Sequence, residues 1–71
     1  MHHTEAKDIL RTIGGLNDDD IKKLSKTDVQ NHVSMLETAV RVHTELDSPS
    51  ILTRNLLQRG KETLIKLKNA L

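Results

Sequence analysis

The 71-residue chain contains no cysteine, phenylalanine, tyrosine or tryptophan. Without cysteine it has no disulfide framework and no thiolate metal site. Without aromatic rings it lacks the stacking platforms of single-strand nucleic-acid binders and the commonest anchors of interface hot spots. No apolar run approaches the ~20 residues that cross a bilayer. The start, Met1-His2-His3-Thr4-Glu5, has no apolar segment of the kind that directs secretion. The expected setting is soluble and intracellular, cytoplasmic or nuclear, with no membrane partner. A formal net charge of +1 also disfavours a dedicated nucleic-acid binder.

What the chain does have is helical periodicity. From Asp28 to Leu46, apolar residues fill about half of a helical circumference at ~100° per residue. Val29, Val33, Leu36 and Val40 form one line; Met35, Ala39, Val42 and Leu46 lie beside it, with His32 and His43 between. An arc that wide fits a helix wedged between two neighbours.

Ahead of it, Ala6, Ile9, Leu10 and Ile13 give a short helix over about 4–13. Thr4 is its expected cap, Gly14-Gly15 its left-handed stop, and Leu16 the apolar contact of that stop. Residues 1–3 are expected to fray. Asn17 before Asp18-Asp19-Asp20 marks a second start, for a short helix over about 18–24. Ser25 and Asp28 have capping-box spacing ahead of the long helix, about 28–46. A single helix across 18–46 is the competing reading.

Asp47-Ser48-Pro49-Ser50 is the strongest break, with Ser48 as N-cap and Pro49 opening a last helix over about 49–70. Leu52, Leu56, Leu64, Leu67 and Leu71 share one side of it, and Gly60 lies in the same stripe. The leucine phase carries through Gly60, so one continuous helix is expected, with Gly60 admitting a close neighbour. The alternative is a cap at Gly60 and a new start at Lys61. These segments specify an all-α fold, a small three- to four-helix bundle, as one domain over residues 1–71. The last two helices should be antiparallel because their link is short. A chain this small buries only ~60% of its unfolded surface, so its core is thin.

Sites of chemistry are sparse. His32 and His43 are eleven residues apart, ~16 Å along a helix, too far to share one metal ion. Each could pair with an acid at i,i+4, Asp28 or Asp47, but zinc needs three or four ligands. They are expected to be core histidines with a ring nitrogen hydrogen-bonded, resisting protonation if buried. Met1-His2-His3 could offer a square-planar nitrogen set to Cu(II), although a frayed terminus explains it as well. Asp18-Asp19-Asp20 lacks the glycine and distant glutamate of a calcium loop, and acids at a helix start follow from its dipole. No serine sits in a nucleophile elbow, and Gly14-Gly15 lacks the lysine and serine of a phosphate loop. No metal, cofactor, small-molecule substrate or enzymatic activity is expected.

The charge distribution is more informative. Residues 1–50 hold six Lys/Arg against nine Asp/Glu, whereas residues 51–71 hold five against one, Glu62. On the last helix Arg54, Lys61 and Lys68 recur every seven residues, about a third of a turn from the leucine stripe. Leu57 and Ile65 lie close to that line. This basic and aliphatic ridge, Arg54, Leu57, Lys61, Ile65 and Lys68, suits an acidic amphipathic partner segment. The competing account is a solvated face with snorkelling lysines. The expected function is therefore a protein–protein interaction module that binds such a segment or self-associates into a homo-oligomer. The alternative is a weak, salt-sensitive nucleic-acid binder using the basic C-terminal helix.

Asp28-Val29 opening a central helix, and Lys66-Leu67-Lys68-Asn69-Ala70-Leu71 closing the last one, are faintly similar to helical bundles of transcription elongation factors and the integrase-binding domain. Those bundles are longer and usually carry aromatics, one of them near the end where this chain has Leu67. The likeness assigns no family.

Overall fold

The central helix packs against a neighbour on each flank, as its wide apolar arc requires. The computed structural model describes residues 2–44 and 51–71. Among them are four helices and no strand: α1 (His3–Thr12), α2 (Asp18–Lys22), α3 (Lys26–Thr44) and α4 (Ile51–Asn69). The fold is a small all-α bundle. Leu46 and the Asp47-Ser48-Pro49-Ser50 break, including the expected Ser48 cap and Pro49 start, lie outside the described residues.

Local capping explains most helix boundaries. α1 begins earlier than Thr4 because the His2 ring reaches over the first turn. Its Nδ1 accepts a hydrogen bond from the Thr4 N–H at 3.3 Å, making His2 the N-cap. Asn17 caps α2 as expected, in a reciprocal box: its side chain accepts from the Asp20 N–H at 2.8 Å, and Asp20 accepts from the Asn17 N–H at 3.3 Å. α2 then stops at Lys22, two residues short of the expected end. α3 starts at Lys26, not Asp28, since the Ser25 hydroxyl oxygen accepts from the Asp28 N–H at 3.1 Å and so caps one turn upstream. The described part of that run, 18–44, is therefore two helices.

The expected left-handed stop after α1 does not form. No glycine among the described residues has a positive φ. Instead the Ile13 and Gly14 N–H groups both donate to the Ile9 carbonyl, at 2.9 and 3.1 Å, and the chain leaves the helix through Ile13 in right-handed conformation. The glycines serve a close approach. A Cβ at Gly14 would collide with the Leu10 carbonyl oxygen and lie 3.3 Å from the Gly60 Cα. A Cβ at Gly60 would lie 2.6 Å from Leu10 Cδ2. α4 is continuous through Gly60, so of the two accounts of that residue the close crossing holds.

Hydrogen bonds fix this crossing. The last carbonyls of a helix have no partner within it; here α4 supplies partners to the turn that follows α1. Thr63 Oγ1 donates to the buried Gly14 carbonyl at 2.6 Å, and Arg59 Nη2 donates to the Gly15 carbonyl at 3.4 Å. α1 and α4 run in the same direction: Lys7 and Arg11 lie opposite residues 52–59, and further along Gly14 meets Gly60 and Thr63. α3 runs antiparallel to α4: Gly60 faces Val40 and Leu36, and further along Lys68 Nζ reaches Glu37 Oε1 at 3.1 Å.

The core sits where the three longer helices meet. α1 contributes Ala6 and Leu10, α3 contributes Val29, Leu36 and Ala39, and α4 contributes Leu67, with Ile13 and Ile21 closing the α2 end. Leu10, Leu36 and Leu67 are essentially sealed from solvent. Each such burial is worth ~1.5–3 kcal/mol relative to exposure. The apolar arcs are not wholly used, however. Met35 is 44% exposed and Leu52 76% exposed. Met35 lies on the outer edge of its arc. Leu52 lies where α1 and α4 no longer touch closely and a cavity of about 310 Å³ opens between them.

Candidate interaction surfaces of the last helix

α4 has two flanks with different chemistry. The ridge foreseen in the sequence lies on the flank beside α3. Arg54, Lys61 and Ile65 face solvent, with Ile65 61% exposed. Leu57 is half-buried and packed against the core, and Lys68 is engaged with Glu37. Three of the five ridge residues thus remain free for an external contact. Packing against the core at Leu57 and the ion pair with α3 at Lys68, not the seven-residue spacing, divide the set.

The opposite flank faces α1. Lys7 and Arg11 of α1, with Leu52, Thr53, Asn55, Leu56 and Arg59 of α4, line the cavity of about 310 Å³. Among the described residues no acid lines it, and the first turn of α4 carries none. Lys7, Arg11 and Arg59 take part in no ion pair among the described residues. The sequence offered little sign of this grouping, because Lys7 and Arg11 sit on a different helix some forty residues away. The available signal was Leu52, an apolar residue at the far end of a stripe longer than the ten-residue α1 can cover.

The histidines depart from expectation. His43 is only 3% exposed, yet neither ring nitrogen has a hydrogen-bond partner. His32 is half-buried with its Nδ1 also unpartnered. The expected satisfied core histidine is therefore corrected at His43. Burial holds its pKa below the ordinary value, and the neighbouring charges of His3 and Lys7 push it the same way. The ring stays neutral near pH 7, because protonation would place a desolvated cation beside two basic groups.

The acidic triplet is accounted for by helix structure. Asp20 completes the α2 capping box and Asp18 Oδ1 accepts an ion pair from Lys66 Nζ at 3.3 Å. Among the described residues no three His, Asp or Glu side chains come together as metal ligands. Met1, needed for the amino-terminal copper set, lies outside them. No helix among them is long and apolar enough to cross a membrane. No protein-family model matches the chain, and no curated protein or solved structure is significantly similar to it.

Proposed function

We propose that this domain is a protein–protein interaction module whose last helix receives an acidic amphipathic segment of a partner. The observation that supports it is the surface of α4, where large aliphatic side chains stand in water next to cations with no ion-pair partner among the described residues. Ile65 is exposed one turn from Lys61, and Leu52 is exposed beside Arg59 and the α1 residues Lys7 and Arg11. Aliphatic groups of this kind supply affinity through desolvation, while the cations steer encounter and set register.

A fluorescently labelled helical peptide with leucine at i and i+4 and glutamate between tests the reading by anisotropy. Binding that weakens several-fold from low to high salt but persists at the higher value is expected, since charge and apolar burial both contribute. The same titration with a labelled DNA duplex is the discriminating arm. If the duplex binds and the peptide does not, the nucleic-acid alternative replaces this reading. Sedimentation of the unliganded chain tests self-association, the other form the module could take.

A further inference from the structure

The cavity between α1 and α4 points, we infer, to the seat of that acidic amphipathic helix: a partner aliphatic side chain lies on Leu52 and Leu56 while its carboxylates meet Lys7, Arg11 and Arg59. This rests on the interaction-module reading and adds the surface and the complementary chemistry.

The leucine stripe of α4 is buried at Leu67 and half-buried at Leu64 and Leu56, but Leu52 is 76% exposed. α1 is tied down at Gly14 by the Gly60 contact and the Thr63 hydrogen bond. From there toward their N-termini the two helices enclose open space. The stripe therefore continues past its cover, and its uncovered end forms the floor of a concave surface.

Three cations from two helices surround that floor. One of them, Arg59, is held in place by the Gly15 carbonyl. Among the described residues no acid lies in the lining to offset the cluster, so an anionic occupant is favoured and a cationic one repelled. The volume of about 310 Å³ has room for an aliphatic side chain or two, not for a whole helix. The occupant is accordingly a surface helix that inserts a leucine-like group and lays its acids along the rim. From Leu52 to Arg59 is ~10 Å along α4, which matches about two turns of such a helix.

The labelled leucine and glutamate peptide is titrated against the intact chain and its variants, each first melted to verify folding. Arg11→Glu and Leu52→Gln change exposed side chains and should leave the melting temperature near that of the parent. Each should weaken the peptide by about tenfold or more, as loss of a central anchor does. Lys26→Glu, at the exposed start of α3, makes the same change in net charge as Arg11→Glu and should alter affinity by less than about threefold. Equal losses for Arg11→Glu and Lys26→Glu would mean only general charge is felt, and would overturn the assignment. A loss at Lys61→Glu and Ile65→Ala with none at Arg11→Glu or Leu52→Gln would move the partner to the ridge, overturning the seat but keeping the module. A dimer that Arg11→Glu dissolves would give the cavity to a second copy and also overturn it. Failure of the parent chain to bind the peptide at all removes the module reading itself.

Discussion

At its C-terminal end α1 meets α4 through Gly14 against Gly60, with the buried Gly14 carbonyl accepting a hydrogen bond from the Thr63 hydroxyl. Toward its N-terminal end its charged residues His3 and Lys7 neighbour His43 of α3, whose ring is buried with both nitrogens unpaired. One end is close-packed with its buried polar group satisfied; the other holds a polar ring with no compensation. The difference teaches that a thin core need not be uniformly thin. The glycine crossing fixes where α1 sits, and the histidine end is where acid can loosen it. The open cavity, with Lys7 among its lining residues, also leads away from the fixed end.

The strongest way to break this comparison is to add volume at the crossing. Gly14→Ala should be the most damaging single change, by ~3 kcal/mol, because the new Cβ meets the backbone carbonyl of Leu10, which cannot rotate away. Gly60→Leu should cost ~1–3 kcal/mol by overpacking against Leu10, despite a gain of ~1 kcal/mol in helix propensity. Urea unfolding followed by circular dichroism measures both. A gain in stability from Gly60→Leu would show that the helices part without cost and that the crossing fixes nothing.

Thr63→Val tests the same end without changing its volume much. The valine fills the space but leaves the Gly14 carbonyl buried and unpaired, which should cost ~1–3 kcal/mol. Thr63→Ser, which keeps the hydroxyl, should recover most of that. If both variants lose alike, the methyl contact matters and the hydrogen bond does not.

The histidine end is probed by pH. The folded-state pKa of His43 lies below its unfolded value of about 6.5. Above that unfolded value neither state holds the proton, and stability is unaffected by this group. As pH falls below it, the unfolded chain binds a proton that the folded chain refuses, so stability declines until the folded pKa is reached and then levels off. His43→Leu should flatten that part of the profile. It should also stabilise the domain by ~1 kcal/mol at neutral pH, since two unpaired buried nitrogens are replaced by an apolar group. An unchanged slope just below pH 6.5 would place the proton linkage on another group and equalise the two ends.

How far the sequence revealed this arrangement depended on whether the deciding interaction was local. The Asn17 cap and the continuity of α4 are written in neighbouring residues, and both were legible; that Asp20 closes a reciprocal box was not read. The start of α3 was legible only to within one turn, because Ser25 and Asp28 are both plausible caps. Gly14 was misread as a left-handed stop since it leaves α1 in right-handed conformation, where a Cβ would meet the Leu10 carbonyl, and its tertiary contact, the Gly60 backbone, is 46 positions away. The ridge was read from one helix alone, so the loss of Leu57 to the core and of Lys68 to Glu37 could not be anticipated. The α1–α4 cavity, with its cations on two helices, was invisible for the same reason.

The smallest effect should come from the ion pairs that cross the bundle surface. Lys68 and Glu37 meet at 3.1 Å, but about half of each side chain is exposed, 53% and 49%. Water screens such a pair and holding two long side chains together costs entropy, so its coupling should be below ~0.5 kcal/mol. Glu37→Ala and Lys68→Ala, singly and together in a double-mutant cycle, measure it by urea midpoint at low and high salt. Lys66 and Asp18, at 52% and 70% exposed, should give even less. If the bundle is held by buried groups at the crossing and loosened by a buried ring at the other end, removing either clasp leaves both the stability and its pH profile nearly unchanged. A coupling comparable to the effect of Thr63→Val would instead mean that α4 is fastened from outside, and the contrast between the two ends of α1 would then explain little of the stability.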